Sequence, residues 1–478
     1  MWKSAKSNGS DPAPPLMSRT RQAVINPWNQ ERVGEVEVSD APHIAKAMEA
    51  AVAAFRTVRR QPAWERAAVL NRIADLLVQR RNEFASTIIA EAGKPVGFAE
   101  AEVDRAASTF RLAAALSTSD NGHGLTMDAV PQGIGHRGFV GRFPLGVILG
   151  ISPFNFPLNL VAHKVAPCIA TGNVMLLKPA MKTPLTALLL ARVLEEAGVP
   201  EGQITVLCFG HEHVGALLTD DRVRMLSFTG GVEVGWNLKS LAKKQKVALE
   251  LGGNAAVIVE PESDWQAAIP KIATAAFGYA GQSCISVQRI FVHGSILADF
   301  QESFISHVNE KIPVGDPSDR STVVGPMISA EARDKVVAWI RDAGSAGGIL
   351  LRPLHTEGAS VLGPVVIGNA PAESEVSCEE VFAPVATLGG YDDFEDAIRR
   401  VNTSRFGLQA GVFTPDINKA LHAYESLEVG GVMINEVPTF RTENMPYGGV
   451  KDSGFGREGV RYAMEEMTEL RSLVIAAG

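Results

Sequence analysis

The stretch Leu145–Pro157, LGVILGISPFNFP, is a short apolar run that Ser152 and Pro153 stop after one strand's length. Three similar runs follow it: NVMLLK (Asn173–Lys178), ITVLC (Ile204–Cys208) and RMLSF (Arg224–Phe228). Helical segments separate them, near Pro157–Ala170, Pro184–Ala197 and Val214, and another starts near Gly230. Continuous apolar strands alternating with helices specify a parallel sheet covered on both faces.

The fold class expected is therefore α/β, with a Rossmann-like doubly wound layer that takes its ligand at the carboxyl ends of its strands. The alternation then starts again. AAVIV (Ala255–Val259), RIFVH (Arg289–His293), ATLGGY (Ala386–Tyr391), QAGVF (Gln409–Phe413) and GVMIN (Gly431–Asn435) read as strands of a second α/β unit. Its helices are expected near Trp265–Phe277, Leu297–Asn309, Ala330–Ala343, Phe394–Asn402 and Ile417–Ser426. The join falls at LELGGN (Leu249–Asn254), where two glycines suit a bend between domains. Upstream, Leu70, Ile73, Leu77, Phe84 and Ile88 recur at helical spacing, predicting one helix from Pro62 until Gly93-Lys94-Pro95 stops it. A second helix is expected over Gly97–Leu116. The polar, glycine-rich stretch after it reads as a β-hairpin that leaves the main body, and ELRSLVIAAG (Glu469–Gly478) reads as a closing strand.

The 478 residues are 46% hydrophobic and 21% charged, which excludes disordered and fibrous classes. A net charge of −8 argues against nucleic acid as a main partner. No apolar run approaches the roughly 20 residues a bilayer requires. Residues 1–20, rich in Ser, Pro and basic side chains, lack the apolar centre of a secretory signal and read as a disordered leader, with Met17 a candidate start and a transit peptide the rival reading. The four cysteines, Cys168, Cys208, Cys284 and Cys378, form no CxxC pair. A disulfide scaffold and a zinc site are disfavoured, no metal is expected, and a reducing, cytoplasmic location follows.

Four short motifs could carry chemistry. In AGQSCISVQR (Ala280–Arg289), Cys284 sits on a loop between a helix and a strand, where free backbone N–H groups can activate a thiol; apolar filler is the plain alternative. Glu250 ends the strand-like KVALE and points where ligands bind, as a base for a thiol or a water, or as a solvated acid at a domain join. Asn155 in SPFNFP (Ser152–Pro157) could donate to an oxyanion from a stiff turn, or simply cap a helix. SFTGGVEVG (Ser227–Gly235) runs from a strand into a helix start that favours an anion such as a pyrophosphate, and Lys178 on the neighbouring strand could reach a ribose or phosphate.

Together with EEVFAPV (Glu379–Val385) and MPYGGVKDSGFGRE (Met445–Glu458), these motifs resemble the aldehyde dehydrogenase superfamily in order and composition, from about Ile25 onward. The segments around Cys284 and Asn435–Gly454 look most like bacterial members acting on lactaldehyde or glyceraldehyde-3-phosphate. The resemblance implies NAD(P)-dependent oxidation of an aldehyde to a carboxylic acid, with NADP or NAD as cofactor and a small polar or hydroxy-aldehyde as substrate. It implies Cys284 as nucleophile, Asn155 with the Cys284 N–H as oxyanion donors, and Glu250 as base for the water that releases the acid, so that hydrolysis rather than transfer to coenzyme A is favoured. It further implies Lys178, Ser152, Phe154, Gly230, Gly235, Glu380 and Phe382 around the dinucleotide. The glutamate that NAD-preferring members carry three residues after the lysine is Met181 here, followed by Lys182, whose ammonium would attract a 2′-phosphate. Arg441 and Arg105 are candidates for an anionic substrate tail, with an ordinary salt bridge as the alternative for each. Ser283, beside the nucleophile, is not basic, which weakens a phosphorylated substrate.

The implied organisation is a dinucleotide-binding domain over 21–118 and 143–251, a catalytic domain over 252–435, oligomerisation strands over 119–142 and 460–478, and a return segment over 436–459, in a homodimer or homotetramer. The alternative function is a catalytically idle relative acting as a binding or structural protein.

Overall fold

The computed structural model describes residues 20–119 and 122–476. The leader expected over residues 1–20 lies outside them, apart from Thr20. Two parallel sheets dominate. The first has six strands in the order Gly454–Phe455, Lys246–Glu250, Val223–Thr229, Val147–Ile151, Val174–Lys178, Ile204–Val206, all parallel except the first. Val147–Ile151 and Val174–Lys178 are buried at every position, as a sheet covered on both faces requires. One apolar layer on this sheet joins helices Ala63–Gln79, Arg81–Ala92, Val96–Ser117, Asn159–Ala170 and Leu185–Glu196; the opposite layer includes helices Ala41–Val58 and Val232–Leu241.

The second sheet has seven strands, in the order Ile349–Arg352, Val365–Gly368, Val385–Tyr391, Val287–His293, Ala255–Val259, Gln409–Phe413, Gly431–Ile434. Only the outermost Ile349–Arg352 is antiparallel. After Gly431–Ile434 the chain crosses back and pairs Gly454 with Glu250 at the edge of the first sheet. This return brings residues 436–459 between the two units.

A third sheet stands apart. Thr468–Ala476 pairs antiparallel with His136–Pro144 over nine register positions, and His123–Leu125 pairs on the other side. Leu470, Leu473, Val474, Ile475 and Phe139 are exposed on it. Among the described residues no helix is long and apolar enough to cross a membrane.

Two sequence expectations need correction. The single helix from Pro62 to Ala92 is two, Ala63–Gln79 and Arg81–Ala92, broken at Arg80 (φ −100°, ψ 21°). The apolar period runs through the break because Leu70, Ile73, Leu77, Phe84 and Ile88 all enter one core. The N-terminal hairpin Arg21–Ile25/Arg32–Glu37, the helix Ala41–Val58 and the strands Ile349–Arg352 and Val365–Gly368 were not expected at all.

Candidate active site between the two sheets

Cys284 is held by a tightly wound loop. The helix Trp265–Phe277 ends, and Tyr279 (φ 54°), Ala280 (φ 53°) and Gly281 (φ 65°) follow in the left-handed region. Two non-glycine residues in succession there store strain that the surroundings must hold. A Cβ on Gly281 would lie 2.2 Å from the Ala383 carbonyl oxygen, so only glycine fits. Gln282 fixes the turn: its Nε2 donates to the Pro326 carbonyl (3.2 Å) and its Oε1 accepts from Ile328 N–H (2.8 Å). Ser286 Oγ closes the far side by donating to the Ala275 and Ala276 carbonyls, both at 3.1 Å.

The glycines of LELGGN do more than allow a bend. A Cβ on Gly253 would sit 2.1 Å from the Cys284 carbonyl oxygen, and one on Gly252 would sit 2.5 Å from Glu380 Oε2. Their bareness lets the cysteine loop and the Glu380 carboxylate close over the join. Glu380 Oε1 accepts from Gly253 N–H (3.1 Å), and burial raises this carboxyl to about 7.

Asn155 approaches from the first sheet, on the loop after Val147–Ile151. It is buried, and its Nδ2 donates to the Gln282 carbonyl (3.0 Å), two residues before Cys284. Glu250, the last residue of its strand, is also buried, and its Oε2 has no hydrogen-bond partner among the described residues. Burial, and then the charge of Glu458, push its carboxyl well above the usual range. Burial likewise pushes the Cys284 thiol up to about 12, opposed by a bond to Tyr447, with Sγ 2.9 Å from Oη. At neutral pH the Cys284 thiol therefore rests protonated.

A layer of ion pairs that the sequence reading missed supports these groups. Lys164 Nζ donates to Glu458 Oε1 (2.8 Å), Thr229 Oγ1 (2.7 Å) and Ser227 Oγ (3.1 Å). Glu102 pairs with Lys94 and accepts from the Leu158 and Asn159 N–H groups (2.9 and 3.1 Å), fixing the helix start just after the Asn155 loop. Lys94 Nζ in turn lies 3.7 Å from the ring centre of Phe156 and 4.6 Å from that of Tyr279, so this one pair ties the Asn155 loop to the cysteine loop. Tyr447 and Glu458 lie inside the quoted MPYGGVKDSGFGRE.

Arg105 is not free: its Nε donates to Glu443 Oε1 (2.6 Å), and Glu443 also bonds His163. Although burial opposes it, the His163 bond and the Arg105 and Arg441 charges hold Glu443 down at about 2. Arg441 stacks on Tyr447, its guanidinium carbon 3.7 Å from the ring centre, and its buried Nε has no partner among the described residues. A cavity of about 540 Å³ opens beside the cysteine loop, lined by Phe98, Arg105, Phe156, Thr274, Ser283 and Ile285 among others.

The other candidates gather at the carboxyl edge of the first sheet. Lys178 ends its strand, its Nζ 5.5 Å from the Phe209 ring centre, and burial lowers its pKa while the Cys208 and Glu212 charges raise it. Ser152 N–H donates to the Lys178 carbonyl (3.1 Å), and its buried Oγ has no partner among the described residues. The helix Val232–Leu241 starts without a side-chain cap, and the space above Gly231 is open. A Cβ on Gly235 would sit 2.4 Å from Leu251 Cδ2, so glycine lets this helix press onto the strand beneath. Gly230 N–H donates to the Glu250 carbonyl (3.0 Å). Phe382, at φ 52°, meets Phe154 edge to face at 5.8 Å. Lys182 is exposed, and its charge acts on Glu331; the Glu212 charge acts on Lys178. Met181 packs in the small cluster of Val24, Val36 and Cys208.

An uncapped helix start beside a lysine suits a dinucleotide's phosphates and ribose. A thiol, a partnerless carboxyl and an amide at the inner end of that groove suit acyl chemistry. Among the described residues no cluster fits a metal ion.

The chain matches the model described as "Aldehyde dehydrogenase family" over residues 16–473. It is 39% identical to the 3-sulfolactaldehyde dehydrogenase of Priestia aryabhattai, with 95% of each chain covered. Among solved structures it resembles aldehyde dehydrogenase 21 of Physcomitrella patens, in complex with the reaction product succinate (40% identity, TM-score 0.93, 96% of each chain). It also resembles the glyceraldehyde-3-phosphate dehydrogenase GapN of Methanocaldococcus jannaschii, complexed with NADP (36% identity, TM-score 0.91, 96% of this chain and 100% of that one). The chain belongs to the aldehyde dehydrogenase family of oxidoreductases.

Proposed function

We propose that this protein oxidises a small aldehyde bearing a hydroxyl or anionic tail to its carboxylic acid, using NAD or NADP. When bound along the first sheet, the dinucleotide's nicotinamide accepts the hydride that leaves the aldehyde carbon. Lys178, Ser152, Gly230 and Gly235 hold its adenosine and phosphate end, and Glu380, Phe382 and Phe154 its nicotinamide end. Cys284, as thiolate, attacks the aldehyde carbon; the Asn155 amide and the Cys284 N–H steady the oxyanion. Loss of hydride from that carbon leaves a thioester on Sγ. Glu250, as carboxylate, takes a proton from water, whose oxygen adds to the thioester carbon and expels the Cys284 thiolate, releasing the acid.

What carries the reading is the meeting of Cys284, Asn155 and Glu250 around one buried loop: Asn155 on the Gln282 carbonyl and the Glu250 charge felt by the thiol. The three relatives named act on, or are bound to, molecules ending in sulfonate, carboxylate or phosphate, and Arg441, with its unpartnered Nε, supports an anionic tail here. Arg105, neutralised by Glu443, is the weaker candidate. Glu212 beside Lys178 favours NAD over NADP by repelling a 2′-phosphate. The exposed apolar strand Thr468–Ala476 suits pairing with a second copy.

The test is a panel of aldehydes read by nicotinamide absorbance. Cys284→Ala loses all turnover, and Arg441→Met raises KM at least tenfold for anionic aldehydes with little change for neutral ones of equal size. Turnover surviving in Cys284→Ala would refute the reading; equal KM effects would remove Arg441 from it.

A further inference from the structure

Tyr447 has no role in the scheme above, yet its hydroxyl is bonded to the sulfur that the scheme makes the nucleophile, at 2.9 Å. The contact is built, not incidental. Tyr447 N–H donates to the Glu458 carbonyl (2.9 Å) and Glu458 N–H donates back (2.7 Å), an antiparallel bridge that fixes the backbone. The ring is buried, with the Arg441 guanidinium 3.7 Å above its centre. The next residue, Gly448, lies so close to Glu250 that a Cβ there would be 2.8 Å from Oε1. One two-residue segment therefore touches both the candidate nucleophile and the candidate base. A phenylalanine would fill the same hydrocarbon space; the hydroxyl is an added polar atom in a buried place, and such an atom costs stability unless bonded.

We propose that Tyr447 is a catalytic residue: its O–H donates to Cys284 Sγ and stabilises the thiolate that attacks the aldehyde. The proposal rests on Cys284 being the nucleophile. A thiolate accepts strongly whereas a thiol accepts weakly, so a fixed donor selects the charged sulfur. Burial keeps the phenol protonated, raising it well above its ordinary value, so at working pH it carries the proton that a thiolate accepts. The Arg441 cation over the ring draws on its electrons and strengthens the donor. When the C–S bond forms, the negative charge passes to the aldehyde oxygen, the sulfur becomes a poor acceptor, and the phenol keeps its proton throughout. The donor helps because it raises the thiolate population by its full effect on acidity, whereas nucleophilicity falls by less than half of that effect.

The experiment follows alkylation of Cys284 by iodoacetamide against pH, in the full chain without aldehyde or dinucleotide, with peptide mass locating the adduct. Three side chains at position 447 are compared: tyrosine, phenylalanine (Tyr447→Phe) and site-specifically incorporated 3,5-difluorotyrosine, a more acidic phenol of the same shape. Tyr447→Phe is expected to displace the profile upward by about one pH unit and to slow alkylation at a fixed neutral pH about threefold. Difluorotyrosine is expected to displace it downward. Coincident profiles for all three, with equal melting temperatures, overturn the proposal; should the phenylalanine variant not fold, the difluorotyrosine comparison alone decides. Cys284→Ser separates the two readings. If it abolishes turnover while the profiles coincide, only the role of Tyr447 falls; if it retains turnover, the nucleophile assignment itself falls.

Discussion

Glu250 and Glu458 are buried carboxylates in one site with opposite acidities. Each keeps one buried oxygen without a hydrogen-bond partner among the described residues, but Lys164 sits on Glu458 and, against burial, holds it below the usual range, while burial and the Glu458 charge push Glu250 well above it. The same contrast separates two layers. In one lie groups with a raised pKa or an unpartnered atom among the described residues: Glu250, the Cys284 thiol and the Arg441 Nε. In the other lie ion pairs, Lys164–Glu458, Lys94–Glu102 and His163–Glu443–Arg105, of which Lys94, Glu102 and Arg105 line the cavity. Pairing fixes a charge in place, whereas withholding a partner leaves the free energy of a proton's arrival or departure available to chemistry. Changes to the first set should therefore alter rate with little loss of stability, and changes to the ion pairs the reverse.

The largest effect expected is on rate. Glu250→Gln keeps shape and burial but removes the base, so the acyl group forms and is not released. Rapid mixing should show one equivalent of reduced nicotinamide per site, followed by steady turnover about 10²- to 10⁴-fold slower than the parent. Parental melting temperature is expected, because no pair is broken. Loss of the burst together with turnover would place Glu250 before hydride transfer instead.

Among the ion pairs, Glu102→Gln strands the Lys94 ammonium, which is fully buried. An orphaned buried charge costs about 3–5 kcal/mol, read as a lower denaturant midpoint. Adding Lys94→Met should recover much of it, since the amide carbonyl that replaces the Glu102 carboxylate can still accept from the Leu158 and Asn159 N–H groups and no charge is left alone. A double variant as unstable as the single one would mean that the pair acts through packing on Phe156 and Tyr279 rather than through charge.

The division between the layers also explains what the sequence disclosed. The doubly wound sheet was legible because its strands are apolar without interruption: Val147–Ile151 has no polar position to blur it. Cys284, Asn155 and Glu250 were legible because each stands at a strand end or on the adjoining loop. The pairs behind them were not, because partners such as Lys164 and Glu458, or Arg105 and Glu443, are separated by most of the chain and only the fold brings them together. Likewise, the break at Arg80 left no mark because both helices feed one core.

Glu380 lies between the layers and gives the smallest effect. One oxygen accepts from Gly253 N–H at 3.1 Å and burial lifts the carboxyl to about 7, so near neutrality it is half ionised. Ribose hydroxyls need an acceptor, which the carboxylate supplies with more capacity than the acid. Binding therefore selects the charged form and releases a proton. Dinucleotide affinity, measured by quenching of protein fluorescence, should weaken several-fold as pH falls from about 8 to about 6, across the raised pKa. The stability contribution has its own sign: with the folded pKa above the unfolded one, the native state binds more protons over that interval, so this group's contribution to stability falls as pH rises from the ordinary carboxyl range to about 7. Affinity and stability thus respond to Glu380 in opposite directions over the same interval. Glu380→Gln should flatten the affinity profile; an unchanged slope in that variant would assign the proton to Glu250, whose carboxyl is also raised.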